Sequence, residues 1–231
     1  MSRINRSELT KLEIIQLASK KFLEYGYSNT PIKSICAELN MSPGNLTFHF
    51  PSKEHLLVEL VELLCKFQWK MIEQEANEGY SSVMAVCLEL VAMVTMCEDN
   101  QEVKDFLLAA YRSPIALAVI RKNDSKRAQE VFREYCPDWT PEQFEEAEIL
   151  VSGIEYATLM TTNSDVPLEA RLEGALDLLL RIYGVSDDLR ETKIQRVFAT
   201  DYRKLGKRVL KNFRRYVNDA NEKALMELLK G

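Results

Sequence analysis

The chain has 231 residues, 46% of them hydrophobic, and a formal net charge of −5. That is enough apolar material for one globular unit or a small head fused to a larger body, and too much for a generally disordered chain. No apolar run approaches the roughly 18 residues of a membrane span, and the polar opening residues do not read as a signal peptide, so a soluble, unsecreted protein without a membrane span is expected. The five cysteines are odd in number, scattered and set among apolar neighbours, which suits small core residues in a reducing compartment and makes a cytoplasmic location the expectation. Charge is unevenly spread: residues 1–70 carry +2, residues 71–188 carry −14 and residues 189–231 carry +7. The acidic middle excludes nucleic acid from most of the surface, whereas either end can approach phosphate.

Apolar residues recur at three- and four-residue spacing almost throughout, and strand-like alternation is scarce, which predicts an all-α fold. A first helix is predicted over Glu8 to Tyr25, stopping at Gly26. Thr30-Pro31 reads as cap and first residue of a short helix through Leu39. Ser42-Pro43 repeats that signal for a helix ending near Phe50, and Ser52 caps a long helix from Lys53 to about Asn77. Further helices are predicted over Ser82–Cys97, Gln101–Ala110, Pro114–Tyr135, Pro141–Thr161 and Pro167–Tyr183, with Asp188 opening a last segment that reaches Leu229. The division expected is 1–53 as head and 54–231 as body, with 189–231 as an additional basic segment.

The stretch "LNMSPGNLTFHFPSKEHLL" (39–57) carries two helix starts within ten residues. Two short helices joined by "LNMS", each with its apolar residues turned one way, make a helix-turn-helix. Met41 stands at the staple position opposite Leu46 and would set the angle at which the chain enters the second helix. A recognition helix reads DNA with its N-terminal turn. There Gly44 bares backbone N–H groups to phosphate, Asn45 and Thr47 can bond base edges or phosphate, and His49 and Lys53 can hold the sugar-phosphate backbone. With Thr30, Lys33, Ser42 and Phe48 these form the expected DNA-binding set, although Phe48, like Phe50, is read as packing inward.

"KLEIIQLASKKFLEYGY" followed by "PIKSICAELNMSPGNLTFHFPSKEHLL" resembles the DNA-binding domain of TetR-family transcriptional regulators over about Lys11 to Leu57. The resemblance implies that Lys33, Gly44, Asn45, Thr47, His49 and Lys53 occupy positions that meet DNA. Thr47 stands where members usually carry tyrosine, so operator preference does not transfer.

The resemblance also implies a body that binds a small-molecule effector and forms a homodimer, placing two readers on a near-palindromic double-stranded DNA operator. "PEQFEEAEILVSGIEYATLMTT" and "PLEARLEGALDLLLRIYG" match the place of the family's dimerising helices. Leu150, Gly153, Ile154, Ala157, Leu172, Ala175, Leu176 and Leu179 are the expected interface, small residues allowing close helix approach. Soft and aromatic Trp69, Met84, Met93, Met96, Phe106, Tyr111 and Tyr156 are the expected effector pocket. The logic expected is repression relieved by ligand. The basic last segment can bind a membrane, DNA or a protein, or lie across the acidic body, and Gly206 reads as a bend in it. An enzyme is not expected: no C-x-x-C, H-E-x-x-H, G-x-S-x-G or phosphate-loop pattern occurs, and the acidic cluster Glu142, Glu145, Glu146 and Glu148 reads as a solvated helix start. No cofactor or metal is implied. The rival reading is a helical adaptor that binds a protein or membrane surface through its basic segment.

Overall fold

The computed structural model describes residues 6–77, 81–162 and 164–230, and is all helical among them. Met1 to Asn5, at the start of the expected head, lie outside the described residues. The elements are α1 (Arg6–Tyr25), α2 (Ile32–Glu38), α3 (Pro43–His49), α4 (Lys53–Asn77), α5 (Ser82–Asp99), α6 (Gln101–Arg112), α7 (Pro114–Phe132), α8 (Pro141–Met160), α9 (Leu168–Ile182), α10 (Asp187–Phe198) and α11 (Tyr202–Lys230).

Local chemistry sets most of these boundaries. Ser42 Oγ accepts the Asn45 N–H at 3.2 Å, Ser81 Oγ that of Met84 at 3.3 Å, and Asn100 Oδ1 that of Val103 at 2.7 Å; each bond satisfies a donor left over at a helix start. Besides shifts of one to three residues at other helix ends, two expected boundaries change in kind. Pro31, not Thr30, stands at the cap position of α2, because the Thr30 hydroxyl is spent on the carbonyl of Gly26 at 2.8 Å. The expected last helix is two helices: Asp201 Oδ1 accepts the Lys204 N–H at 3.2 Å and starts α11 afresh.

The head packs α1 to α3 against the start of α4 around Ile14, Phe22, Ile35, Leu46 and Leu57, all fully buried. In the turn between α2 and α3, Asn40 takes φ 51°, a left-handed conformation that asparagine tolerates, and the Met41 N–H returns to the Cys36 carbonyl at 2.9 Å, closing α2. α4 then runs unbroken from head into body. There α5 is buried nearly all round, from Val83 to Cys97, as expected of a helix enclosed by neighbours; α4, α6, α8, α9, α10 and α11 all touch it.

α11 lies on α5, α1 and α4, burying Leu205, Val209, Phe213 and Val217 at four-residue intervals. Gly206 is no bend. It is buried within a continuous helix, and a Cβ there would sit 2.2 Å from Thr95 Oγ1 and 3.3 Å from the Ala92 carbonyl oxygen of α5, so glycine is what lets the two helices approach. The basic side chains Arg203, Lys204, Lys207, Arg208, Lys211 and Arg215 point outward. Lys207 lies 3.6 Å from Asp99 and Arg203 lies 3.8 Å from Glu169, which ties the segment loosely to its own body.

Candidate nucleic-acid interface and buried acidic cavity

α3 is anchored by one side and offered by the rest. Leu46 is fully buried and Met41 packs half-buried on the core, which holds the helix at its entry angle. Ser42, Gly44, Asn45, Thr47 and Phe48 are exposed, with Lys33 exposed on neighbouring α2. The Ser42 oxygen is occupied by the Asn45 N–H, and the Thr47 hydroxyl donates to the Gly44 carbonyl at 3.1 Å, leaving the Asn45 carboxamide as the uncommitted polar group of the first turn. Phe48 is 79% exposed, contrary to the expectation that it packs inward; only Phe50 does so. The period of a short helix ending in "FHF" allows just one of the two rings on the buried side, and Phe50, beyond the last turn, takes that place.

Two further expected contacts are changed. The Thr30 side chain is buried at 1% exposure and capped onto Gly26, so it is withdrawn from the set a ligand can touch. The half-buried Lys53 donates to the Tyr27 carbonyl and lies 4.0 Å from the centre of the Tyr27 ring. Burial lowers its pKa while Asp105 opposes that shift. The ammonium is thus held by the loop after α1, and His49 is half-buried beside Phe48.

That loop is also where the body takes hold of the head. Asp105 of α6 accepts the Ser28 N–H and the Ser28 hydroxyl, each at 2.6 Å. Gly26, at φ +84°, brings the chain so close that a Cβ would lie 2.8 Å from Asp105 Oδ2. Sequence reasoning missed Asp105, because nothing near an isolated aspartate in "QEVKDFLLAAYR" reports a partner 77 positions away.

None of the seven residues expected to line an effector pocket is among the walls of the body's small acidic cavity. Met84, Met93, Met96 and Phe106 are ordinary core. Half-buried Trp69 donates its indole N–H to Asn123 at 2.8 Å, and the Tyr156 hydroxyl accepts from Arg112 at 2.9 Å. That cavity, of about 20 Å³, lies between α5, α7, α8 and α9, walled by Val86, Asp124, Phe132, Glu148, Glu155 and Tyr183 among others. Of the expected seven only Tyr111 reaches its wall, donating to Glu155 at 2.8 Å.

The walls of this cavity are strongly acidic. Arg127 forms a fork with Glu89 at 2.8 and 3.0 Å and reaches Asp124 at 3.2 Å. Burial works against the charged Arg127, but Glu89 and Asp124 more than offset it and hold the guanidinium ionised. Glu148 is 3% exposed: Oε1 accepts the Tyr183 hydroxyl, whereas Oε2 is buried without a hydrogen-bond partner. Burial first, then the charge of Asp124, pushes the Glu148 pKa up to about 8. Glu155 is raised by the same two causes in the same order, and Glu89 by burial against the pull of Arg127. The acidic run on α8 therefore divides. Glu142, Glu145 and Glu146 are solvated as expected, but Glu148 turns inward.

The dimer expectation also divides. Leu172, Ala175, Leu176 and Leu179 are buried within the chain's own core, since α9 turns that stripe toward α5 and α10. The exposed apolar residues of this pair are Ile149, Leu150 and Met160 on α8 and Leu178 on α9. Gly153, Ala157 and Gly174 are exposed among them, and Ile154 is half-buried.

These features define a helix-turn-helix head carried on a helical body. Residues 14–60, which span the helix-turn-helix head, match the family model described as "Bacterial regulatory proteins, tetR family". It is similar to an uncharacterized HTH-type transcriptional regulator YuxN of Bacillus subtilis (strain 168), 31% identical over 94 residues, 41% of this chain. The match spans only 31% of that relative's length. Among solved structures, a gamma-butyrolactone receptor (ArpA-like protein) aligns over 90% of this chain and all of its own, at 20% identity and TM-score 0.44. The TetR family protein CprB from S. coelicolor A3(2) aligns over 82% of this chain and 98% of its own, at 20% identity and TM-score 0.43.

Proposed function

We propose that the protein is a homodimeric repressor, released from a near-palindromic operator when a small molecule enters the body. The observation that carries this reading is a single helix with two attachments. α6 holds the head loop through Asp105 and Ser28, and six residues further on it holds the cavity wall through Tyr111 and Glu155. Six residues of helix span about 9 Å, so a ligand that competes for the Tyr111 bond acts on the same rigid rod that positions the reader. A coupling of about 1–3 kcal/mol is typical of such switches, and each 1.4 kcal/mol changes operator affinity about tenfold. DNA contact is assigned to Lys33, Gly44, Asn45, Thr47 and Phe48, with Lys53 and His49 at the rim and Ser42 holding the turn. The exposed Phe48 ring suits an apolar contact such as a thymine methyl.

The test is selection from a random duplex library at near-physiological salt. Enrichment of one inverted repeat is expected. Asn45→Ala should relax the preference at one position per half-site and Phe48→Ala should weaken binding without lowering Tm. Retention of no sequence above background by folded dimer would overturn the reading and favour the adaptor with its outward basic α11.

A further inference from the structure

We infer that the cavity between α5, α7, α8 and α9 is a receptor for the primary ammonium head of an organic amine, with Glu148 as its charge partner. This rests on reading the body as effector-binding and specifies what it binds.

Three observations carry it. First, carboxyl groups outnumber cations: among the described residues at this site, Glu89, Asp124, Glu148 and Glu155 meet the guanidinium of Arg127, which is already committed to Glu89 and Asp124. Second, an acceptor is left over. Glu148 Oε2 is buried on the cavity wall without a partner, and a buried acceptor in that state costs free energy that a charged donor would recover. Third, the shape selects the donor. About 20 Å³ admits one water-sized group, which fits an –NH₃⁺ and excludes a guanidinium or quaternary head. Phe132 and Tyr183, stacked with ring centres 4.2 Å apart, form part of the wall and suit a cation or its first methylene. Among the described residues no group of three or more His, Cys, Asp or Glu is spaced to hold a metal ion, so a bare divalent cation is not the fit.

The proton stands in for the amine when the site is empty. Glu148 is faced by Asp124 and Arg127 from α7, Glu89 from α5, Glu155 from its own helix and Tyr183 beyond α9. The net field from these groups and the loss of water favour its neutral form near pH 7. An arriving ammonium reverses that preference, so Glu148 ionises as it pairs and one proton leaves for solvent.

Thermal unfolding of the full chain with n-alkylammonium chlorides from methyl to hexyl, each against the alcohol of the same length at fixed ionic strength, tests this. At least one amine should raise Tm, by about 3–6 °C at ten times its Kd, its alcohol should not, and Glu148→Gln should abolish the rise. Equal effects of amine and alcohol, no rise with any amine, or a rise that survives E148Q would overturn the inference. Should E148Q fail to fold, calorimetric titration of the parent in phosphate and in Tris at pH 7 decides: proton release is expected, and its absence overturns the proposal. Operator binding measured on the same protein separates the two readings. Amine binding without operator binding sinks the repressor alone; operator binding without an amine response sinks the amine site alone.

Discussion

At the residue scale the acidic cavity predicts an unusual pH dependence. Unfolded, Glu148 titrates near its ordinary 4.5; folded, it does so at about 8. Between those values the unfolded chain has released a proton that the folded one keeps, so the stability contributed by Glu148 is fully present below 4.5 and is lost as pH rises through about 8. Glu155 and Glu89 are shifted in the same direction and add to the slope. Scanning calorimetry should therefore show Tm falling between pH 6 and pH 8. E148Q should flatten part of that fall and exceed the parent at pH 8; an unchanged slope would contradict the assignment. None of this was legible in the sequence. Glu148 follows Glu145 and Glu146 in "FEEAEILV", and only the rotation of α8, set by Phe144, Ala147 and Val151, decides which glutamate turns inward. The local signals were clearer where bonding is short-range: Ser42 caps as read, whereas Thr30, five residues beyond the end of α1, was claimed by the carbonyl of Gly26.

Helices were legible because their periodicity and caps are properties of neighbouring residues; how one helix meets another was not. The stripe of α11 predicted a buried face, and Leu205, Val209, Phe213 and Val217 occupy it, but the glycine within it marks contact instead of curvature. Gly206→Ala tests this. Alanine gains up to about 1 kcal/mol in helix propensity, yet its Cβ would stand 3.0 Å from Thr95 Cβ and closer still to the hydroxyl. Overpacking of about 1–3 kcal/mol should win, lowering Tm by several degrees. Thr95→Ala in the same chain should restore most of the loss, a coupling that a simple propensity effect would not show.

For the whole molecule, the proposed homodimer is tested at the exposed face of α8 and α9. Leu150 is 61% exposed and Leu176 fully buried, although both were expected at the interface. Leu150→Arg should yield folded monomer by sedimentation and lose high-affinity operator binding; Leu176→Arg should instead impair folding. A dimer that survives Leu150→Arg would show that the copies meet elsewhere. One long-range contact has a further consequence. The guanidinium of Arg214 donates to the Leu23 carbonyl at 3.0 Å across 191 positions, so one side of α1 is covered by α11. α1 therefore stays bare along that side until α11 docks, a closure that is slow because the contact joins residues so far apart in the chain.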